Sequence, residues 1–268
     1  MKIKIGISPC PNDTFIFEHV LNTPTDVDFE LYFEDVETLN KMAQKNELDI
    51  VKISYANYFN IANNYELLRA GGALGKGVGP ILISKNSFAL AEIFSKKIAI
   101  PGLNTTAFFL LKFAFPEIKN FIEYPFHKIE EAVLSNEVDA GVIIHENRFT
   151  FEDKGLKKII DLGAHWEEKT QLPIPLGGIA IKRTFDIELK NSINELIKNA
   201  IQKNWKKGLP YSSFILDNAQ EMKPEIIQKH IELYVNEFSI DVGTDGEKAV
   251  VKMQEILAPL FTKNIFIQ

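Results

Sequence analysis

The chain has 268 residues, 30 Lys and Arg against 36 Asp and Glu, a formal net charge of −6, and 46% apolar residues. That apolar share, together with 20 Phe, excludes a disordered chain, and the negative charge argues against binding to nucleic acid or to an anionic membrane. The single cysteine excludes an internal disulfide, and no apolar stretch approaches the ~18 residues of a spanning helix.

The first residues alternate between charged and apolar side chains. Lys2 and Lys4 alternate with Ile3 and Ile5, which is the pattern of a strand with one buried face. A secretory signal instead has a basic segment followed by about 7–15 apolar residues. The sequence therefore predicts a cytoplasmic protein whose Cys10 stays reduced.

Strand-like and helix-like runs alternate along most of the chain. Strands are predicted at residues 2–8, 29–33, 49–54, 66–70, 80–84, 97–100, 121–124, 139–144, 158–162 and 178–182. Helices are predicted at residues 14–21, 36–45, 55–63, 106–115, 128–136, 186–207, 224–235 and 245–258. This alternation is typical of an α/β protein, and it predicts a mainly parallel sheet covered by helices.

The stretch GGALGKGVGP at residues 71–80 holds five of the 15 glycines. It is not a Walker loop, because Gly77 follows Lys76 where that pattern needs Ser or Thr. It is not a dinucleotide fingerprint either, because Pro80 stands where the third glycine would fall. A hinge, a tight connection and a close approach of backbone to a ligand all fit this composition.

Ligands of open α/β sheets bind beyond the carboxyl ends of the strands, so the residues that follow each predicted strand are the candidate site residues. His145 follows the apolar strand predicted at residues 139–144. An unperturbed imidazole, with a pKa of about 6.5, is mostly neutral at pH 7 and can act as a general base. The alternative is a loop histidine that bonds locally. The histidines without this setting are His19, His127, His165 and His230.

A second candidate is the helix start at residues 105–107, Thr-Thr-Ala. The N–H groups at a helix N-terminus favour anions by about 0.3–1 kcal/mol. A ligand carboxylate could dock on the Thr106 and Ala107 amides. Capping of the helix by Thr105 explains the same residues equally well.

Lys52 and Ser54 lie two residues apart on the strand predicted at residues 49–54, so both side chains point to the same side. A lysine inside a buried strand is costly unless its charge is paired. The partner would be an anionic ligand, or else Asp13 or Glu146 in an ion pair.

Other polar residues near the predicted strand ends have simpler explanations. Asn12 and Asp13 are predicted to cap the first helix, and Cys10 between two prolines is predicted to form a rigid turn rather than a nucleophile. His145-Glu146 does not continue to a second histidine at helical spacing, so no zinc site of the HExxH kind is predicted.

Several segments resemble, in order along the chain, those of the 1,4-dihydroxy-6-naphthoate synthases, enzymes of the futalosine route to menaquinone. The segments are SPCPNDTF at 8–15, EDVETLN at 34–40, KISYA at 52–56, GGALGKGVGP at 71–80, TTA at 105–107, GVIIHENRFT at 141–150, LPIPLGG at 172–178 and YVNEFSIDVG at 234–243. Together they extend over nearly the whole chain.

The resemblance implies an α/β fold of the two-lobed, periplasmic-binding-protein-like (type II) kind, with a ligand cleft between the lobes. One lobe would combine both ends of the chain and the other would come from its middle. With the strands predicted above, the first lobe is set at residues 1–84 and 180–268, and the second at residues 85–179.

The family splits cyclic dehypoxanthine futalosine into 1,4-dihydroxy-6-naphthoate and dihydroxyacetone, using neither a metal nor an organic cofactor. The resemblance implies the proton-acceptor role for His145. The substrate contacts that it implies are Lys52, Ile53, Ser54, Thr106 and Ala107. The expected partner is a small-molecule carboxylate substrate, its carboxylate docking on Thr106 and Ala107 or else on Lys52 or Arg148, and the oligomeric state is left open.

Three alternatives stand beside this reading. Chorismate dehydratase, a related enzyme of the same pathway, shares the two-lobed fold. A non-catalytic small-carboxylate-binding protein of a transport system would need an export signal, which the amino terminus does not resemble. A cytoplasmic ligand sensor is the third, although nothing in the sequence suggests an output module.

Overall fold

The computed structural model describes residues 2–25, 27–219 and 223–268. The chain divides into two compact units. The first unit combines both ends of the chain, Met1–Gly75 and Pro175–Gln268, and the second unit is Lys76–Ile174. The boundaries between these units fall after residues 75 and 174, whereas the sequence places the boundaries between the lobes after residues 84 and 179.

Eleven strands and twelve α-helices lie in the described ranges. The strands are β1 Lys2–Ile7, β2 Asp28–Phe33, β3 Ile50–Ser54, β4 Tyr65–Leu67, β5 Ala73–Gly75, β6 Ile81–Ser84, β7 Ile98–Ile100, β8 Phe121–Glu123, β9 Ala140–Ile143, β10 Lys157–Asp161 and β11 Ile174–Lys182. The helices are α1 Pro11–Asn22, α2 Val36–Gln44, α3 Tyr55–Ile61, α4 Thr106–Ala114, α5 Ile129–Leu134, α6 Asn147–Thr150, α7 Leu162–Thr170, α8 Ile187–Lys207, α9 Ser213–Asn218, α10 Pro224–Tyr234, α11 Glu237–Ile240 and α12 Gly243–Leu257.

Each unit is built around one mixed sheet. The first sheet has the order β2-β1-β3-β11-β4, with β5 paired to β11, and the second has the order β10-β6-β9-β7-β8. Strand β1 runs parallel to β2 and β3, whereas β11 runs antiparallel to β3 and β4. Strand β7 runs parallel to β8 and β9, whereas β6 runs antiparallel to β9 and β10.

The prediction of a mainly parallel sheet is therefore wrong, although the α/β class is confirmed. The alternation of strands and helices indicates which elements are present. It does not indicate whether two paired strands run parallel or antiparallel, unless a single crossover helix joins them. Strand β11 pairs with β3 although more than a hundred residues separate them in sequence. No local pattern specifies such a pairing.

Isoleucines dominate the core of the first unit. Ile3, Ile5 and Ile7 are buried on β1, and they belong to one cluster with Ile197 and Ile201 of α8. The two α8 residues are four apart and therefore share one face of the helix. Burial of each side chain of this size contributes about 1.5–3 kcal/mol to the stability of the fold. This packing holds β1, and with it the residues that follow β1, in place.

The second unit has its own apolar cluster, formed between its sheet and α5. Ile83 of β6, Ala99 of β7 and Ile143 of β9 pack in one cluster with Ile129 and Val133 of α5. Strands β7 and β9 are thereby held side by side, with their carboxyl ends at one edge of the sheet. No helix in the described part of the chain is long and apolar enough to cross a membrane.

Close packing of backbone fixes the segment that enters β6. A Cβ built at Gly79 would lie 2.3 Å from Gly163 Cα, closer than two carbon atoms can approach. We expect Gly79→Ala to lower the free energy of unfolding by about 1–3 kcal/mol, measured by urea denaturation. The control is Gly77→Asn, because a Cβ at Gly77 meets nothing within 4 Å and Asn tolerates its φ of 69°. Equal stability of Gly79→Ala and the wild type would contradict the close packing.

Candidate active site

Lys52 is a buried cation at the centre of a polar cluster in the first unit. The residue is 5% exposed on β3. Its Nζ lies 2.9 Å from Asp13 Oδ1 and donates to the carbonyl of Gly71 at 3.0 Å. Of the partners left open by the sequence, the structure therefore contains the ion pair with Asp13. An ammonium group has three N–H donors, and the described residues take up two of them.

The Asp13 carboxylate has all its lone pairs in use. Oδ2 accepts from the hydroxyl and the backbone N–H of Ser8 at 2.6 and 3.3 Å, and Oδ1 accepts from Asn12 Nδ2 at 2.8 Å and from Lys52. A carboxylate offers about four acceptor sites. Asp13 is therefore a structural anion that holds Lys52 in place, and it has no vacant site for a substrate proton.

The prediction that Asn12 and Asp13 cap the first helix is wrong. The N-cap of α1 is Cys10, which makes no side-chain capping bond, and Pro11 occupies the first turn. The carbonyl of Cys10 accepts from the N–H groups of Asp13 and Thr14, both at 3.0 Å. Since Lys52 needs a counter-charge, the two polar side chains turn into the cluster instead of back onto the helix.

Ser54 ends β3 and is held by a neighbouring amide. Asn40 of α2 donates to Ser54 Oγ at 3.2 Å, and its Oδ1 accepts from the Ser54 N–H at 3.0 Å. Both residues are buried. The hydroxyl has one hydrogen to donate, and no described residue accepts it. Ser54 is thus fixed in orientation and offers one donor to a ligand.

The residues on either side of Ser54 have different surroundings. Ile53 is fully buried, and its side chain points away from the face that carries Lys52 and Ser54. A substrate contact by Ile53 would therefore involve its main chain. Burial raises the pKa of the Tyr55 phenol well above its usual value, so that Tyr55 is neutral. Its ring packs so closely on Gly178 that a Cβ there would lie 2.9 Å from Tyr55 Cζ.

The glycine-rich stretch supplies the second acceptor for Lys52. Gly71 has a φ of 81°, and its N–H donates to the Ser239 carbonyl at 2.8 Å. The Ser239 hydroxyl donates to Gly72 O at 2.7 Å, and Asn236 Nδ2 donates to Leu74 O at 2.8 Å. Segment 234–243 therefore fixes the turn at Gly71. Four segments that are far apart in sequence therefore meet around Lys52, namely residues 8–13, strand β3, residues 71–74 and residues 234–243.

His145 lies in the second unit, two residues beyond the end of β9. Its φ of 58° places the backbone in the left-handed region, at a cost of about 1–2 kcal/mol for a residue with a Cβ. Strain of this kind is characteristic of functional sites. The half-buried imidazole packs edge-on against Phe126, with ring centroids 5.0 Å apart and planes at 65°. Phe126 is thus one of the neighbours that hold the ring.

The N-terminus of α4 keeps a hydrogen-bond donor for an anion. Thr105 caps the helix, since its Oγ1 accepts from the Phe108 N–H at 3.1 Å and donates to Gly102 O at 2.8 Å. The capping role of Thr105 is thereby confirmed. The N–H of Ala107, a residue only 3% exposed, has no acceptor among the described residues. That amide is available to a ligand carboxylate.

His145 and α4 start from the same edge of the second sheet. Strand β7 leads to α4 and β9 leads to His145, and the two strands are parallel neighbours. Arg148, one turn beyond His145, donates to Gly79 O at 2.7 Å and lies 3.9 Å from Asp161. Arg148 is thus occupied within its own unit. In the described ranges, no group of three or more His, Cys, Asp or Glu is placed to hold a metal.

The sequence matches a family profile described as menaquinone biosynthesis over residues 3–259. The chain belongs to this family. The chain is 40% identical over 255 residues to a 1,4-dihydroxy-6-naphthoate synthase of Thermus thermophilus, covering 94% of this chain and 92% of the relative. It is 36% identical to a 1,4-dihydroxy-6-naphthoate synthase of Streptomyces coelicolor, covering 92% of this chain and 90% of that protein.

Solved structures show the fold of this member of the menaquinone biosynthesis family. A crystal structure of a protein from Archaeoglobus fulgidus superposes with a TM-score of 0.89 at 32% identity, covering 95% of this chain and 96% of that one. The alkanesulfonate-binding protein of Xanthomonas axonopodis superposes with a TM-score of 0.68 at 11% identity, covering 99% and 96% of the two chains. The second likeness shows the fold alone, and it confirms the periplasmic-binding-protein-like class.

In this member of the menaquinone biosynthesis family, the structure also brings polar residues to the site that the sequence does not predict there. Asn40 lies in the segment EDVETLN at 34–40, and no local pattern gives it a role, while His230 does not follow a predicted strand. His230 is fully buried, and its Nε2 lies 2.9 Å from Asn12 Oδ1. The only sequence signal was its place on the apolar face of α10, between Ile227 and Tyr234.

Proposed function

We propose that the chain is a carbon–carbon lyase that converts cyclic dehypoxanthine futalosine to 1,4-dihydroxy-6-naphthoate and dihydroxyacetone. The observation that carries the proposal is the match, over at least nine-tenths of the chain, to two relatives that bear the name of this synthase. Because such relatives are biosynthetic enzymes, we place the reaction in the cytoplasm. We also propose that Lys52, Ile53, Ser54, Thr106 and Ala107 contact the substrate.

In this proposal, the neutral imidazole of His145 accepts a proton from the sugar-derived ring of the substrate. The electron pair left behind drives cleavage of a carbon–carbon bond, and aromatisation to the naphthalene diol makes the step favourable. Developing negative charge is stabilised by donors that are already oriented, chiefly the Ser54 hydroxyl and the Lys52 ammonium group. The strained backbone at His145 supports its role as the base. The role of Lys52 is supported by its ion pair with Asp13, whose carboxylate has all its acceptor sites in use.

The experiment that tests the function is an assay of the purified protein with cyclic dehypoxanthine futalosine and, separately, with chorismate. We expect consumption of the futalosine derivative, release of the naphthoate and dihydroxyacetone in equal amounts, and no change in chorismate. Dehydration of chorismate would identify the chorismate dehydratase instead. Tight binding of the naphthoate without turnover of either compound would identify a binding protein.

The proposed docking of the substrate carboxylate on α4 gives a separate prediction. We expect Thr106→Pro to weaken product binding about tenfold. The substitution removes the Thr106 N–H, one of the two amide donors proposed for the carboxylate of the product. The helix tolerates the change, since proline suits the first helical position and the preceding Thr105 is already extended at φ −79° and ψ 150°.

Thr106→Val is the matched control for this measurement, which uses isothermal titration with 1,4-dihydroxy-6-naphthoate. It removes the hydroxyl but keeps the N–H group, so an amide-docked product should keep its affinity. Equal affinity of the Pro variant and the wild type would show that the carboxylate docks elsewhere.

A further inference from the structure

A continuous path of buried polar groups leads from His230 to Lys52. His230 Nε2 lies 2.9 Å from Asn12 Oδ1, Asn12 Nδ2 donates to Asp13 Oδ1 at 2.8 Å, and the same Oδ1 lies 2.9 Å from Lys52 Nζ. His230 is in α10, Asn12 and Asp13 are in α1, and Lys52 is in β3. Three elements of the first unit are therefore linked through four side chains.

The chemistry of these groups fixes the direction of every hydrogen bond in the path. An ionised carboxylate only accepts, so Asp13 must face the amide nitrogen of Asn12 and not its oxygen. The amide oxygen then faces His230, and an oxygen can only accept. The proton of the imidazole is therefore on Nε2, and His230 is the donor that holds the Asn12 amide in place from its oxygen end.

The path is shielded from water. His230 is 0%, Asn12 6% and Asp13 1% exposed, and the ring of Tyr234 packs on His230 with centroids 4.7 Å apart. Buried hydrogen bonds in a medium of low polarity are strong and mutually reinforcing. A histidine at the apolar core face of α10 would be costly without such a bond, so its place there is explained by Asn12.

The orientation of Lys52 depends on the far end of this path. An ammonium group is tetrahedral, so the two bonds from Lys52 to Asp13 and to Gly71 determine the direction of its third N–H. Without the bond from His230, the Asn12 amide can shift away, so that Asp13 Oδ1 loses a donor and the carboxylate is held only by Ser8 and Lys52. The third N–H of Lys52 then changes direction.

We infer that His230 is a positioning residue, which through Asn12 and Asp13 aims the free N–H of Lys52 at the substrate. The inference rests on the proposed function only in taking Lys52 as a substrate contact. His230 itself touches neither substrate nor reacting atoms in this account.

The test compares His230→Gln with His230→Leu. Glutamine carries an amide N–H at about the position of Nε2 and can still donate to Asn12, whereas leucine fills the space without a donor. We expect His230→Leu to raise the Kd for 1,4-dihydroxy-6-naphthoate about tenfold, and His230→Gln to restore it to within about threefold of wild type. A role in stability alone would lower the melting temperature without changing this Kd.

A second readout does not depend on activity. In protein labelled with [ε-¹³C]lysine, the Lys52 signal is identified by its loss in Lys52→Met. We expect this signal to shift in His230→Leu and to return in His230→Gln, while an unshifted signal in His230→Leu would overturn the inference. If the leucine variant does not fold, His230→Asn, whose amide is too short to reach Asn12, replaces it with the same expectation. A shifted signal in a protein that turns over no substrate would support the positioning role and refute the proposed function.

Discussion

Replacement of His145 by asparagine is expected to abolish turnover while leaving the Kd for 1,4-dihydroxy-6-naphthoate within about tenfold of wild type. The imidazole acts on the barrier by accepting a proton, and a positioned general base contributes about 10²–10⁴-fold to the rate. Asparagine cannot accept that proton, and its side chain keeps a polar group in the same place. Steady-state kinetics and isothermal titration of the product measure the two effects separately.

The structure explains why asparagine is the right replacement. The φ of 58° at His145 is in a region that asparagine occupies more readily than other residues with a Cβ, so the fold should be preserved. His127→Asn is the matched control, because His127 is an exposed histidine of the same unit, and it should keep full turnover. Wild-type turnover by His145→Asn would remove His145 from the mechanism.

Lys52→Met is expected to lower the free energy of unfolding by about 3 kcal/mol, because it leaves the buried Asp13 carboxylate without its counter-charge. Turnover should fall with it, since a donor to the substrate is lost. Asp13→Asn removes the unpaired charge. The double variant should therefore lose at least about 1 kcal/mol less unfolding free energy than the two single substitutions lose in total. Urea denaturation of the four proteins measures this coupling.

Lys182→Met provides the control for burial. Lys182 Nζ lies 2.8 Å from Asp49 Oδ1, much as Lys52 pairs with Asp13, but its side chain is 25% exposed against 6% for Lys52. Partly exposed pairs contribute about 0–1 kcal/mol, so its loss should have a small effect. Equal destabilisation by the two lysine substitutions would show that burial does not make the loss of the Lys52–Asp13 pair more costly.

Local patterns predicted the elements of this fold but not how they combine. All ten predicted strands and all eight predicted helices overlap observed ones, because buried strands and amphipathic helices follow from the spacing of apolar residues. The short elements β5, α6, α9 and α11 were not predicted, since a few residues carry too little periodicity. The sequence does not predict helix α7, because its cap, Asp161, lies within the strand predicted at residues 158–162.

The candidate site was predictable where it depends on position along one strand. The sequence suggests His145 because it follows a buried strand, and Lys52 and Ser54 because they lie two residues apart on one buried strand, where a charge demands a partner; their roles stay predictions. The amide of Asn40 and the imidazole of His230 were not found, since their roles depend on contacts across long stretches of sequence. His230 and Asn12 are 218 residues apart, and no spacing rule connects them.

A crystal structure with bound 1,4-dihydroxy-6-naphthoate tests the central claim most directly. We expect one imidazole nitrogen of His145 within hydrogen-bond reach of the naphthalene diol, at about 2.6–3.2 Å or through a single water. The carboxylate of the product should accept from the Ala107 N–H. Product bound in an ordered site that neither His145 nor a water on His145 can reach would contradict the account.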